Sequence, residues 1–129
     1  MVHSLNKGKR AEREVAKLLG DLLGTPCRRS QQYAGGTDSA DVVGVDGLHV
    51  EVKHQERMRL YEWIAQAEND CGGNLPVVMH RANQKQWLCT VPLEMLLSLA
   101  IIIGKHAAHE DHSLQSLARV DRVGEDQQT

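Results

Sequence analysis

Apolar residues recur along the first part of the chain at the spacing of one helix face: Ala11, Val15, Leu18, Leu19, Leu22 and Leu23. That pattern predicts a helix over residues 5–23, closed by Gly24 and kept from continuing by Pro26. Arg28 to Tyr33 reads as a short strand, and Ala34-Gly35-Gly36-Thr37-Asp38-Ser39 as a loop by composition. Two short apolar runs then flank Asp46-Gly47, the strongest short-range signal for a hairpin, with strands near 41–45 and 48–53. Helical spacing returns over 58–70, where Leu60, Ile64, Ala67 and Cys71 share a face beside Trp63, and Gly72-Gly73 ends it. Strands follow at Pro76–His80 and Trp87–Val91, separated by a turn at Asn83-Gln84. Pro92 suits the start of a third helix through Leu93, Leu96, Leu97 and Ala100.

The order helix, three strands, helix, two strands, helix predicts an α/β fold, a mixed sheet of about five strands with helices on its faces. A chain of 129 residues suits one domain with a real core. We place that domain at residues 1–104 and read 105–129 as a polar, His-rich, weakly ordered tail, with one helical turn near Leu114–Val120. No internal repeat is visible.

The hairpin carries the chemistry. Its first strand opens with Asp41, and its second ends with Glu51 and Lys53. Residues two apart in a strand share a face, so Glu51 and Lys53 point the same way and the turn can bring Asp41 beside them. Two carboxylates and an amine at a sheet edge are the minimum equipment for holding Mg²⁺ and activating water against a phosphodiester. The tripeptide E-x-K alone is weak, since a chain of this length shows one by chance roughly 0.5 times. Its place at the end of an apolar strand, the preceding Asp41 and the glycine-rich loop upstream strengthen it. The competing account is an exposed Glu/Lys pair of little energetic consequence.

Composition narrows the picture. The net charge of -2 makes no global case for nucleic acid, but Lys7, Lys9, Arg10, Arg13, Lys17, Arg28 and Arg29 crowd the first quarter of the chain. Such asymmetry suggests a phosphate-facing surface, and a solvated helix face is the alternative. With two Trp, two Tyr and no Phe, the chain lacks the aromatics of a stacking single-strand binder. Cys27, Cys71 and Cys89 are far apart with no C-x-x-C, which argues against a disulfide framework or a zinc knuckle. No signal peptide opens the chain, and its most apolar run, Met95–Ile103, is too short to span a bilayer. We expect a soluble intracellular protein, in the cytoplasm or, if viral, in the host cell.

Other groups leave choices open. His106, His109 and His112 are spaced by three, which suits a transition-metal site on a helix or simply a polar tail. His49 and His54 flank the motif strand with no Ser or Cys partner for a nucleophilic triad. Gln66 can face the site or solvent, and Trp63 and Trp87 read as core or interface anchors. Glu12 and Glu14 lie about 200° apart around their helix, so only one can face the site.

Four pieces in order resemble the archaeal-type Holliday junction resolvases, small members of the PD-(D/E)xK nuclease superfamily. Lys7-Gly8-Lys9-Arg10-Ala11-Glu12-Arg13-Glu14 is similar to that family's K-G-x-x-A-E-R-E opening. Arg29-Ser30 resembles its Arg-Ser strand, Ala40-Asp41-Val42-Val43 its Asp-bearing strand, and Glu51-Val52-Lys53 its E-V-K. The likeness spans about residues 6–90. Ala40 stands where the family name has proline, and the helix and tail after Trp87 have no counterpart in the minimal archaeal enzymes.

The resemblance implies a restriction-endonuclease-like sheet and a Mg-dependent endonuclease, with Mn as substitute. It implies Glu12, Asp41, Glu51 and Lys53 as catalytic residues. Asp41, Glu51, the Val52 carbonyl and Glu12 would hold the metal, and Lys53 would orient or deprotonate the attacking water. Products would be a 5′-phosphate and a 3′-hydroxyl. Glu14 becomes a surface residue within reach of Arg10 and Lys17. Lys7, Lys9, Arg10, Arg13 and Arg28 or Arg29 are assigned to DNA phosphates, and Thr37 and Ser39 either cap a phosphate or are plain loop hydroxyls. The expected substrate is four-way junction DNA cut by a homodimer, because two symmetric nicks need two sites related by a two-fold axis. Alternatives are a related nuclease for other branched or duplex DNA, and a non-catalytic DNA-binding module that would tolerate loss of the acids.

Overall fold

In the computed structural model, residues 2–31 and 40–107 are described. They form α1 (Val2–Leu23), β1 (Arg28–Arg29), β2 (Val42–Val43), β3 (Leu48–His54), α2 (Leu60–Asp70), β4 (Leu75–Arg81), β5 (Leu88–Thr90), a 3-10 turn (Leu93–Met95) and α3 (Leu96–Ala107). The five strands make one sheet in chain order. Neighbours are antiparallel except β3 and β4, which run parallel and are joined by α2. This is the mixed sheet of five strands with flanking helices that the sequence predicts.

Strand alternation decides what each face carries. Leu48, Val50 and Val52 of β3, with Leu75 and Val77 of β4, join Ala11, Val15 and Leu19 of α1 in the larger core, against which Leu99, Ile102 and Ile103 of α3 also pack. On the opposite face Val78 packs under Trp63 and Ala67 of α2. The same alternation puts His49, Glu51 and Lys53 on the α2 face, so polar chemistry and the main core are separated by the thickness of one sheet.

Several boundaries differ from the sequence reading. The described part of the first strand is only Arg28–Arg29, and Tyr33 with most of the following loop lies outside the described residues. The third helix begins after a 3-10 turn and runs through Gly104 to Ala107; residues 108–129 lie outside the described part. The Asp46-Gly47 hairpin forms, but not as a two-residue turn. That turn would set Val42 opposite Glu51; instead Val42 pairs with Val50, and the Leu48 amide donates to the Val45 carbonyl at 3.2 Å. The cause is Gly44, whose φ of +128° ends β2 early and whose Cα sits against Pro26 and Cys27, where any Cβ would strike the Pro26 carbonyl.

Trp63 is a core anchor, 4% exposed, and Trp87 packs half-buried against the larger core. Cys27, Cys71 and Cys89 are free thiols. Among the described residues no helix is long and apolar enough to cross a membrane.

Candidate active site

Asp41 stands immediately before β2, at the end of that strand away from the turn. Its amide donates to the Val50 carbonyl at 2.8 Å, and its carbonyl accepts from Ser30 at 2.9 Å, so the backbone is held by β3 on one side and the end of β1 on the other. Its Oδ2 accepts from the Val52 amide at 2.8 Å, filling the ladder position that β2 vacates. In a strand the N–H and C=O of one residue project to the same side, so the Val52 carbonyl faces the edge that Asp41 occupies.

Glu51 lies one residue before Val52 and is 3% exposed. The Asp41 carboxyl is within hydrogen-bonding reach of it. Burial, then the Glu51 charge, push the Asp41 carboxyl up to about 7, against the opposing pull of the Val52 amide; Glu12 adds to the rise. Two acids pressed together out of water are unfavourable without a counter-charge. An all-oxygen donor set of two carboxylates and a carbonyl fits a hard divalent cation that keeps several of its waters. Among the described residues no group of three His, Cys, Asp or Glu side chains is set to hold a metal, so the candidate cradle is this carboxylate pair with main-chain oxygen.

Glu12 stands at the margin of that pair. It feels the Glu51 charge, and burial raises its pKa while Arg29 opposes the rise. Arg29 Nε sits 2.7 Å from Glu12 Oε2, an ion pair. Arg29, one of the two arginines that the sequence offers to phosphate, thus stands beside the helix carboxylate.

Lys53 follows Glu51 on the same face, and its Nζ donates to Gln66 of α2 at 3.1 Å, which answers which way Gln66 points. Beside it a cavity of about 530 Å³ is lined by Lys7, Gly8, Lys53, His54, Glu56 and Arg57 among others. Lys9 is half-buried on α1, while Arg10, Arg13 and Arg28 are exposed. Thr37 and Ser39 lie outside the described residues, as do His109 and His112. His106 Nε2 lies 3.4 Å from the Asp46 carbonyl, at the far end of the hairpin from the acids.

Two partners were not visible in sequence. Glu14 does not pair with Arg10 or Lys17; it accepts from Arg81 Nη1 at 3.0 Å and Trp87 Nε1 at 2.9 Å, tying α1 to the β4 edge, and Lys17 pairs with Asp21 at 3.0 Å. His49 Nε2 lies 2.8 Å from Glu51 Oε1. The alternation that groups Glu51 with Lys53 also groups His49 with them, so the signal was present.

The sequence family described as "Phage putative PDDEXK endonuclease" matches residues 3–116. The solved structure of Archaeoglobus fulgidus Hjc, a Holliday junction resolvase from an archaeal hyperthermophile, is 21% identical, with a TM-score of 0.48 over 69% of this chain and 79% of that one. No curated protein matches the sequence.

Proposed function

We propose a reaction for this chain, which belongs to the phage PDDEXK endonuclease family: metal-dependent hydrolysis of DNA phosphodiesters, most specifically at four-way junctions, by a homodimer. The observation that carries it is the buried Asp41–Glu51 carboxyl contact, with Lys53 two residues on from Glu51 along the same face of β3. Nucleases with the PD-(D/E)xK motif generally use divalent metals. Here Asp41, Glu51 and the Val52 carbonyl would hold Mg²⁺, or Mn²⁺ in its place, with Glu12 approaching from α1. When bound, the cation supplies Lewis acidity at the phosphate and lowers the pKa of nearby water.

The chain's own groups do the rest. The Lys53 ammonium supplies fixed positive charge where the phosphate gains negative charge and orients the attacking water; Gln66 steadies that ammonium. Lys7, at the cavity mouth, and the exposed Arg10, Arg13 and Arg28 bind flanking phosphates without reading bases. Thr37 and Ser39 remain candidates for the same work. The dimer reading is supported by α3 and the turn before it, where Leu93 and Leu97 are 83% and 73% exposed.

The test is incubation of the protein with synthetic junction, flap and linear duplex DNA in Mg²⁺. Paired, symmetric nicking of the junction in preference to the other shapes is the expected result. Equal cutting of linear duplex removes the junction assignment while leaving the nuclease.

A further inference from the structure

We infer that His49 is the positioning residue for the metal-holding carboxylate Glu51, an inference that rests on the reading of Glu51 just given. The His49–Glu51 pair is among the most enclosed polar contacts of the protein, with side chains 3% and 4% exposed and Nε2 to Oε1 at 2.8 Å. As a metal ligand Glu51 is a carboxylate and can only accept, so the imidazole Nε2 is the donor to Oε1.

Packing alone leaves the carboxyl plane of a glutamate loosely set, because its last torsion is broad and two-fold. A fixed donor on one oxygen selects one plane. His49 takes one lone pair of Oε1 and so sets the plane in which the carboxylate offers its remaining lone pairs to a cation. The donor is itself rigid: β3 is paired on both sides around it, with Val50 held by Val42 and His49 in register with Pro76 of β4. Asp41 is fixed in the same manner by the Val52 amide. The two carboxylates thus arrive pre-aimed, one by a main-chain donor and one by an imidazole, and a cation need not order them. Partners of this kind around metal ligands set affinity by about 10- to 100-fold when removed.

The bland competitor is a buried pair that merely satisfies Glu51 and serves folding. Two readouts separate them in the full chain: the rise in melting temperature with Mn²⁺ concentration, without DNA, and the Mn²⁺ concentration for half-maximal cleavage. His49→Phe keeps a ring and removes the donor; His49→Gln restores an N–H near the position of Nε2. The expected result is a 10- to 100-fold higher Mn²⁺ midpoint in both readouts for His49→Phe, and midpoints close to wild type for His49→Gln. Should the phenylalanine variant not fold, His49→Asn, whose amide ends short of Oε1, carries the same expectation. Midpoints unchanged in the variant lacking the donor, with only a lower metal-free melting temperature, overturn the inference. So does a glutamine variant as impaired as the phenylalanine one. Wild-type protein that neither responds to Mn²⁺ nor cuts DNA removes the nuclease reading, and this inference with it.

Discussion

At the scale of single residues, the Asp41 carboxyl is the most informative group. Its folded value of about 7 lies above the ordinary 3.8, so folding takes up a proton there between those values. Stability contributed by this site is therefore full at low pH and is lost as pH rises toward about 7. His54 and His80, whose values burial lowers, push the other way, since unfolding lets them gain protons. The comparison that isolates Asp41 is the slope of metal-free melting temperature against pH in wild type and Asp41→Asn. Wild type is expected to lose stability relative to the variant across that window, and added Mg²⁺ to restore more at the alkaline end than the acid end. Parallel slopes would mean that burial and the Glu51 charge do not raise the Asp41 carboxyl. Not all of this is legible in a sequence. Asp41, Glu51 and Lys53 stand out because strand alternation and a hairpin group them. The Arg29–Glu12 and Glu14–Trp87 contacts join residues distant along the chain, and nothing local announces them.

At the scale of elements, helices and central strands follow from periodicity, and the edge of the sheet does not. The apolar stripe of α1 and the β-branched run in β3 each satisfy a local rule and a tertiary one together. The register of β2 depends instead on a tertiary contact, the seating of Gly44 against Pro26 and Cys27. An Asp-Gly signal between apolar runs says that the chain reverses; it cannot say that β2 must stop two residues earlier. The Val52 amide lies past the other end of β2, where the Asp41 side chain takes it. Gly44→Ala is expected to cost about 2 kcal/mol or more, from a backbone region closed to alanine plus the clash with Pro26. Gly73→Ala, with nothing within 4 Å of a built Cβ, is the control and should melt close to wild type. Denaturant unfolding of both variants checks it, and equal midpoints would show that Gly44 does not set the register.

At the scale of the whole molecule, the sheet works as a partition. One face carries the main apolar core beneath α1 and α3; the other carries His49, Glu51 and Lys53 beneath α2. A net charge of -2 conceals a local clustering, since seven of the fifteen Lys and Arg residues lie in α1 and β1. Three elements supply the candidate centre: α1 brings Glu12, the end of the β1–β2 connection brings Asp41, and β3 brings Glu51 and Lys53. The exposed leucines around α3 lie on the opposite face of the sheet from Glu51.

The most direct test of this centre is cleavage and binding of a synthetic four-way junction by wild type, Asp41→Asn and Glu51→Gln, with Mg²⁺ and with chelator. Metal-dependent cutting by wild type, lost by 100-fold or more (an order-of-magnitude expectation for removing a ligand or charge-stabilising group) in both variants while junction binding persists, is the predicted outcome. Variants that cut at the wild-type rate, or wild-type cutting unaffected by chelator, would contradict it.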